Sequence, residues 1–148
     1  MELPLAYDQL GNRLRSIGGI TVDYDHMGTR PNRLGGWTLA YDALGSRLRS
    51  VGPYSIDYDK LGSRPCRLGD WELRYDILGS RLRQIGPYDL DYDTLGSRVR
   101  RIGPMTVSYD MLGTRPASVT VSGDEPLSEG LLLVLYLVLY LAERERES

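Results

Sequence analysis

The stretch WTLAYDALGSRLRSVG, residues 37–52, decides the fold because it is one copy of a repeat. Its Tyr-Asp pair recurs every 17 residues, seven times, without insertion or deletion. The pairs are Tyr7-Asp8, Tyr24-Asp25, Tyr41-Asp42, Tyr58-Asp59, Tyr75-Asp76, Tyr92-Asp93 and Tyr109-Asp110. A period this strict indicates one supersecondary unit copied seven times. Identical units build a scaffold or a surface, whereas a catalytic site needs unlike residues brought together.

The first half of each unit reads as a β-strand with one buried face. In the third unit Trp37, Leu39 and Tyr41 are separated by Thr38 and Ala40, the period-2 pattern of a half-buried strand. The first apolar column contains Leu3, Ile20, Trp37, Tyr54, Trp71, Tyr88 and Met105, the second contains Leu5, Val22, Leu39, Ile56, Leu73, Leu90 and Val107, and the third is the seven Tyr. The opposite face, with Ala6, Asp23, Ala40, Asp57, Arg74, Asp91 and Ser108, is mostly polar and is expected to face water.

A turn of the form Asp-x-Leu-Gly-Ser-Arg follows each strand. Its predicted structural residues are Asp8, Asp25, Asp42, Asp59, Asp76, Asp93 and Asp110; Gly11, Gly28, Gly45, Gly62, Gly79, Gly96 and Gly113; and Arg13, Arg30, Arg47, Arg64, Arg81, Arg98 and Arg115. A Gly in one fixed slot indicates a backbone that needs positive φ, as in a hairpin turn. The Asp can accept hydrogen bonds from the turn, and the Arg lies across from it. We expect the two charges to neutralise each other, since stacked Asp residues alone would repel; the alternative is a charged binding stripe.

The second half of each unit reads as a short return strand. Leu48 and Val51 are three residues apart, so a β-bulge between them is needed to turn both side chains inward. Pro31, Pro65 and Pro116 occupy the Leu48 slot in other units and predict return strands that are short, bulged or locally unpaired. Gly-Pro and Gly-Gly pairs then turn the chain into the next unit. Seven such hairpins give about fourteen strands in an antiparallel meander.

The run Tyr-Asp-x-Leu-Gly-Ser-Arg-Leu-Arg resembles the YD repeat of Rhs-type proteins, whose hairpins carry Tyr-Asp-x-x-Gly-Arg-Leu. The resemblance covers residues 3–119, although Ser46 separates Gly45 from Arg47 and the units are shorter and more regular. It implies a sheet that curls into a shell, which in that family surrounds a C-terminal passenger, often a toxin. The family motif is structural, so no functional residue carries over. Seven hairpins are too few for a shell that holds a folded domain.

The tail differs from the repeats of residues 1–121. Residues 122–130 form a linker and helix start, with Asp124 as a candidate N-cap and Pro126 near the first turn. Residues 131–148 form an apolar helix with a charged end, packed against or inside the sheet. Its twelve uncharged residues, 131–142, fall short of the ~20 that span a bilayer. A helix that is apolar on all sides is normally buried on all sides.

The apolar face of the repeats and the apolar tail both need to be buried, and each can cover the other. A flat sheet of fourteen strands would be roughly 60 Å wide, far more than one short helix can cover. The predicted fold is therefore mainly β, a meander of seven hairpins curled into a barrel-like or shell-like sheet around one C-terminal helix. Its wall would be roughly 25–30 Å across. The alternatives for the tail are a membrane-inserting segment, an oligomerisation helix and a further strand.

Composition narrows the function classes. The net charge of −2 gives no electrostatic reason to expect nucleic acid as a partner. Cys66 is the only Cys, and no basic and apolar leader precedes the repeats, so we expect a cytoplasmic protein. His26 and Cys66 lack the partners of a catalytic triad or a zinc site. No calcium-loop pattern accompanies Asp23, Asp57 and Asp91, so no bound metal is expected. Because the sequence also lacks a catalytic constellation, we expect no cofactor and no enzymatic activity.

Three functions remain open. The preferred one is a non-enzymatic structural or protein-interaction module that meets a protein partner or associates with itself. The second is a carbohydrate-binding or small-ligand-binding repeat protein, for which Trp37, Trp71, Tyr54 and Tyr88 are the candidate residues. Because these four continue an apolar column, core packing is the preferred interpretation of them. The third is a carrier of a membrane-active or toxin-associated C-terminal segment, with membrane contact through residues 131–142.

Overall fold

Each 17-residue unit folds into a hairpin of two strands, and the hairpins follow one another around a barrel. The computed structural model describes residues 1–8, 13–25, 30–42, 47–59, 64–76, 81–93, 98–111, 115–123 and 127–147, with the backbone alone for 145–147. The strands are β1 (Glu2–Tyr7), β2 (Leu14–Ile17), β3 (Ile20–Tyr24), β4 (Pro31–Leu34), β5 (Trp37–Tyr41), β6 (Leu48–Val51), β7 (Tyr54–Tyr58), β8 (Pro65–Leu68), β9 (Trp71–Tyr75), β10 (Leu82–Ile85), β11 (Tyr88–Tyr92), β12 (Val99–Ile102), β13 (Met105–Tyr109) and β14 (Pro116–Val121), and helix α1 (Glu129–Glu147) follows them. The predicted turn glycines, from Gly11 to Gly113, lie outside the described residues, as does His26.

The described strands form one closed antiparallel barrel. Every strand pairs with its neighbours in sequence, and β1 pairs with β14 to close the ring. At this junction, which we call the seam, Leu3 stands opposite Val119. Met1 and Val121 exchange two hydrogen bonds there, with N to O distances of 2.7 and 3.0 Å. Closure removes the sheet edges that would otherwise invite aggregation, and the predicted meander of about fourteen strands is confirmed.

The predicted bulge is present in the return strands. Leu48 pairs with Tyr41 and Ser50 pairs with Ala40, so Arg49 is the extra residue. The bulge restores the phase, and Leu48 and Val51 are both fully buried, although they are three residues apart. The return strands that begin with proline carry the same bulge and have no locally unpaired stretch of their own. Proline is tolerated because it is the first residue of each strand, where a missing N–H costs little.

Two-residue turns join each hairpin to the next. They are Gly18–Gly19, Gly35–Gly36, Gly52–Pro53, Gly69–Asp70, Gly86–Pro87 and Gly103–Pro104, and we call this end of the barrel the short-turn rim. The first Gly of each has positive φ, for example +57° at Gly52. Because Pro53 fixes a negative φ at the second position, Gly52–Pro53 has the φ signs of a type II′ turn, which suits the twist of a hairpin.

Helix α1 fills the barrel. Leu133 to Leu139 are seven consecutive residues and all are buried. Successive residues of an α-helix are rotated by about 100°, so seven of them point in all directions and the helix must be enclosed on every side. Viewed down the helix axis, the seven side chains are on average about 50° apart, which is also the angular spacing of seven hairpins around a ring. The wall contributes the second apolar column and the inward residues of the return strands to the same core.

The helix runs from the short-turn rim to the opposite end. A Cβ atom added at Gly130 would lie only 3.0 Å from Cη2 of Trp71, which stands at the short-turn rim. The helix begins at Glu129, within residues 122–130, where the sequence predicts the linker and helix start. Its N-cap is Ser128, whose Oγ accepts a hydrogen bond from the Leu131 N–H at 3.1 Å. Asp124, the predicted N-cap, and Pro126 lie outside the described residues.

Candidate functional site

The seven longer turns form the other end of the barrel, the long-turn rim, and each is closed by an Asp–Arg pair. In the third unit the Asp42 N–H donates to the Arg47 carbonyl at 2.9 Å, and Arg47 Nε lies 2.7 Å from Asp42 Oδ2. The full set of ion pairs is Asp8–Arg13, Asp25–Arg30, Asp42–Arg47, Asp59–Arg64, Asp76–Arg81, Asp93–Arg98 and Asp110–Arg115. The charges of this rim are therefore paired within each turn.

Proline loosens three of these pairs. In the second, fourth and seventh units the Nε to Oδ2 distances are 3.5, 3.2 and 3.6 Å, against 2.7 to 3.0 Å in the other four. The Asp side chains of the same three units are 27–31 % exposed, against 9–15 % elsewhere. Arg30, Arg64 and Arg115 each precede a proline, which restricts their backbone to extended conformations. The units with proline thus have the longer Asp–Arg distances and the more exposed Asp side chains.

The seven Tyr of the repeat connect neighbouring hairpins. Hairpins that follow one another in sequence pair at only two positions, such as Ser50 with Ser55 and Val51 with Tyr54, and then diverge. Tyr58 lies half-buried beyond that point, and its hydroxyl donates to the Leu48 carbonyl at 2.8 Å. The equivalent bonds are Tyr7 to Pro116, Tyr24 to Leu14, Tyr41 to Pro31, Tyr75 to Pro65, Tyr92 to Leu82 and Tyr109 to Val99, at 2.6 to 2.8 Å. The bonds therefore form a ring around the barrel that includes the seam.

This role of Tyr was missed by the sequence analysis, which placed the column on the apolar face. A period-2 pattern counts Tyr as an apolar residue and does not register its hydroxyl. The signal was present in the composition, because the chain has 11 Tyr and no Phe. A column that needed only an aromatic ring would accept either residue, whereas a column that must donate a hydrogen bond needs Tyr.

Each turn Arg also contacts the Tyr of the following unit. Cζ of Arg47 lies 4.5 Å from the ring centroid of Tyr58, within the range of cation–π attraction. The other contacts are Arg13 with Tyr24, Arg30 with Tyr41, Arg64 with Tyr75, Arg81 with Tyr92, Arg98 with Tyr109 and Arg115 with Tyr7, at 4.2 to 5.1 Å. Each Arg thus joins its own Asp to the next hairpin. The rim is a closed ring of seven Asp–Arg–Tyr groups.

Burial raises the pKa of several ring tyrosines. Desolvation raises the pKa of Tyr24 to about 12, and the nearby Glu143 carboxylate of α1 adds to this shift. Desolvation also raises the pKa of Tyr58 to about 12, with a further contribution from Tyr140. The pKa values of Tyr41, Tyr75 and the helix residue Tyr136 are raised well above the ordinary range for the same first reason. At neutral pH these hydroxyls are protonated, and those of the four ring tyrosines donate the hydrogen bonds between hairpins.

Alkaline pH is therefore expected to open the barrel. A raised pKa means that Tyr24 and Tyr58 stabilise the fold below their ordinary pKa of 10.0 and lose that contribution as the pH rises towards 12. Tyrosinate absorbance at 295 nm should show a late phase near pH 12, and circular dichroism should report unfolding over the same interval. Tyr58→Phe should reduce the late phase and destabilise the protein by about 1 kcal/mol, because the Leu48 carbonyl loses its donor. Titration of all tyrosines together near pH 10 with the barrel intact would contradict this.

The four candidate ligand-binding aromatics lie together at the short-turn rim, and we call them the aromatic arc. Trp37 packs edge-to-face on Tyr54 and Trp71 on Tyr88, with ring centroids 5.7 and 5.6 Å apart. Each of the four also covers the first Gly of the next two-residue turn; a Cβ added at Gly52 would lie 2.5 Å from Cδ1 of Trp37. All four are half-buried. Both Trp are thus engaged in packing along this rim.

Two sectors of the outer wall, on β7 to β12 and on β13, β14, β1 and β2, differ in charge. The charged sector is formed by the outward residues Asp57, Arg67, Glu72, Arg74, Asp89, Asp91 and Arg101 of β7 to β12, all exposed. Arg67 stands between Asp57 and Glu72 across the strands, and Glu72 Oε1 lies 3.1 Å from Arg74 Nε. The neutral sector, on β13, β14, β1 and β2, presents Thr106, Ser108, Ser118, Thr120, Pro4, Ala6 and Ser16. Glu2 and, at the bulge of β2, Arg15 are the charged residues there.

The strand register shows which residues are the neighbours of the three Asp residues considered as calcium ligands. Asp23, Asp57 and Asp91 stand directly opposite Arg33, Arg67 and Arg101. Each of these Asp residues therefore has an Arg, and not a second oxygen ligand, as its cross-strand neighbour. Over the described ranges, no cluster of three or more His, Cys, Asp or Glu is arranged to hold a metal ion. Cys66 is a half-buried free thiol on β8.

In the part of the chain that the structure describes, no helix has the length and hydropathy needed to cross a membrane. No protein-family model matches the sequence, and neither the curated proteins nor the solved structures gave a match.

Proposed function

We propose that this chain is a non-enzymatic protein-interaction scaffold and that the charged sector of its outer wall contacts a protein partner. The supporting observation is that equivalent slots of the same hairpin carry charges in one sector and none in the other. In the neutral sector Ser108, Ser118 and Pro4 occupy the slots that hold Asp57, Arg67 and Glu72 in the charged sector. The fold does not need those charges, so they are available for recognition.

Electrostatics supports the same assignment. Exposed ion pairs such as Glu72–Arg74, whose side chains are 59 % and 67 % exposed, add little to stability. Charged groups on a rigid surface instead fix the orientation of a partner and exclude wrong ones. The inner and rim residues repeat because they build the barrel, whereas the outer residues vary from unit to unit. We propose a partner surface of mixed charge, complementary to alternating Asp and Arg.

The outward residues one repeat earlier, Ala40, Ser50 and Ser55, supply the substitutions for the test. The triple variant Asp57→Ala, Arg67→Ser, Glu72→Ser should fold normally and change the free energy of unfolding by less than about 1 kcal/mol. Partners captured by the wild-type chain through cross-linking and identified by mass spectrometry should then bind the purified variant at least about tenfold more weakly by calorimetry.

The matched control is Thr106→Ala, Ser108→Ala, Ser118→Ala in the neutral sector, which should bind those partners as the wild type does. Equal partner affinity for the wild type and the charged-sector variant would reject the proposed surface. A larger loss in the neutral-sector control would move the contact to the other side of the barrel.

A second function, a carrier of the apolar C-terminal segment, has one specific observation in its favour. The barrel surrounds Leu133 to Leu139 on every side, so a segment that would aggregate or insert into lipid is kept out of water. The resemblance to YD repeats, whose shells hold a C-terminal passenger, agrees with this proposal. Here the passenger would be one helix rather than a folded domain.

A further inference from the structure

We propose that helix α1 enters and leaves the barrel sideways, through the seam between β1 and β14, and not along the barrel axis. The seam would then act as a gate for the only apolar segment that the barrel encloses in its described part. This inference does not depend on the proposed protein contact of the outer wall. It rests on two observations. No turn joins β1 to β14, and an axial path would move charged residues through the apolar lumen.

The seam differs from every other junction of the described strands in its connectivity. Consecutive strands are linked by a turn, whereas β1 and β14 are the first and last strands and no turn joins them. The seam is held by the pairs of Glu2 with Thr120, Leu3 with Val119 and Pro4 with Ser118, together with the Met1–Val121 hydrogen bonds. At the long-turn rim the Tyr7 hydroxyl donates to the Pro116 carbonyl at 2.7 Å, and Arg115 lies over the Tyr7 ring at 4.2 Å. All these contacts are non-covalent.

An axial path moves charges through the apolar lumen in either direction. Withdrawal towards the short-turn rim draws residues 143–147, Glu-Arg-Glu-Arg-Glu, past the buried core. Withdrawal towards the long-turn rim draws the linker after it, with Asp124 and Glu125. Each ion taken out of water costs several kcal/mol. At the short-turn mouth the Trp71 ring also lies close to α1, since a Cβ added at Gly130 would be 3.0 Å from Trp71 Cη2.

A lateral path avoids both costs. Opening the seam exposes main-chain groups that water can satisfy, so each lost hydrogen bond costs only about 1 kcal/mol net. Along this path neither the charged end of α1 nor the linker is drawn through the apolar lumen, and only the apolar residues cross the gap. The remaining cost is the apolar surface of the helix and the lumen, which is the same for any path. The seam therefore sets the barrier to release.

A disulfide across the seam of the full chain tests the gate. Since Met1 and Val121 exchange both hydrogen bonds, the next pair, Glu2 and Thr120, is of the non-hydrogen-bonded type, with Cα atoms about 4.5 Å apart. This lies within the range that a disulfide can bridge. The variant is Glu2→Cys, Thr120→Cys in a Cys66→Ala background. Pro4→Cys, Ser118→Cys provides a second bridge at the same seam if the first pair does not oxidise.

The control is the same bridge at a junction that already has a turn. Arg101 and Thr106 form the equivalent pair beside the Gly103–Pro104 turn, so the control variant is Arg101→Cys, Thr106→Cys with Cys66→Ala. The readout is native-state amide hydrogen exchange of residues 133–139 of α1, relative to that of β7 to β10. Dividing the exchange rate of α1 by that of the strands cancels the effect that any disulfide has on global unfolding.

In the reduced seam variant we expect α1 amides to exchange faster than those of β7 to β10. Oxidation should slow α1 by about tenfold or more relative to those strands, because the bridge closes the gate. Oxidation of the control should leave the ratio unchanged. The proposal is overturned if the ratio does not respond to the seam bridge, if the control changes it equally, or if α1 and the strands exchange together already in the reduced state.

Discussion

Leu135→Asp is expected to unfold the barrel. Leu135 is 0 % exposed and lies at the centre of the buried stretch Leu133 to Leu139. A carboxylate there would be enclosed by apolar side chains of the helix and the wall, with no partner among them. Burying an unpaired charge costs more than about 5 kcal/mol, comparable to the whole stability of an ordinary domain. Circular dichroism should show loss of the sheet, and size-exclusion chromatography should show an expanded or aggregated species.

Two further variants separate the charge from the position. Leu135→Ala keeps the site apolar and should reduce the free energy of unfolding in urea by about 2–5 kcal/mol through the cavity it leaves. Glu129→Gln, on the exposed first turn of the same helix, should change it by less than about 1 kcal/mol. If Leu135→Asp were as stable as Glu129→Gln, the helix could not be enclosed by the wall.

The second large effect is expected at Gly86. This residue has φ +54°, and a Cβ added to it would lie 2.4 Å from Cγ of Trp71. The left-handed backbone costs an L-residue about 1–2 kcal/mol, and the overlap with the indole ring costs about 1–3 kcal/mol more. Gly86→Ala should therefore reduce the free energy of unfolding by about 2–5 kcal/mol, measured by urea denaturation.

Other glycines of the same chain separate the two contributions. Gly123 has φ +83° and no atom within 4 Å of the place that a Cβ would occupy, so Gly123→Ala should show the backbone cost alone. Gly19 has open space and no positive φ, so Gly19→Ala should be neutral or slightly stabilising. The double variant Gly86→Ala, Trp71→Leu should recover part of the loss, because it removes the overlap but not the φ strain. Equal stability of Gly86→Ala and Gly19→Ala would contradict the packing of the aromatic arc.

Much of the fold could be predicted because the repeat determines it locally. The 17-residue period gave the hairpins, and the three-residue spacing of Leu48 and Val51 required the bulge that the structure has at Arg49. Closure around the helix followed from one argument about area, since the apolar face and the apolar tail each needed the other. These inferences rest on periodicity and burial, which a sequence displays directly.

The parts that could not be predicted depend on contacts between units. No spacing within one hairpin shows that Tyr58 reaches the carbonyl of Leu48 or that Arg47 lies over its ring. These contacts arise only when neighbouring hairpins diverge in three dimensions. The sequence placed the helix start only within residues 122–130, whereas the structure begins the helix at Glu129 with Ser128 as its N-cap. A glycine suits position 130 because the Trp71 ring lies close to the helix there.

The candidate functional surface was also beyond the reach of the sequence. The outward residues were recognised as polar, but the division into a charged and a neutral sector appears only when the register places the strands side by side. The sequence separates Asp57, Arg67 and Glu72 by ten and five positions, whereas cross-strand pairing makes them neighbours on the wall. The seam likewise exists only in the closed ring, because it joins the two ends of the repeat region.

Nuclear Overhauser effects in solution test the central claim, a sheet of seven hairpins closed around its own helix, most directly. A three-dimensional NOESY spectrum of the labelled full chain should contain cross-peaks between Leu3 and Val119, which closure requires, and between the Trp71 indole ring and Gly130, which enclosure of the helix requires. Cross-peaks within each hairpin without either of these two would contradict the account, because the hairpins would then form an open sheet with the helix outside it.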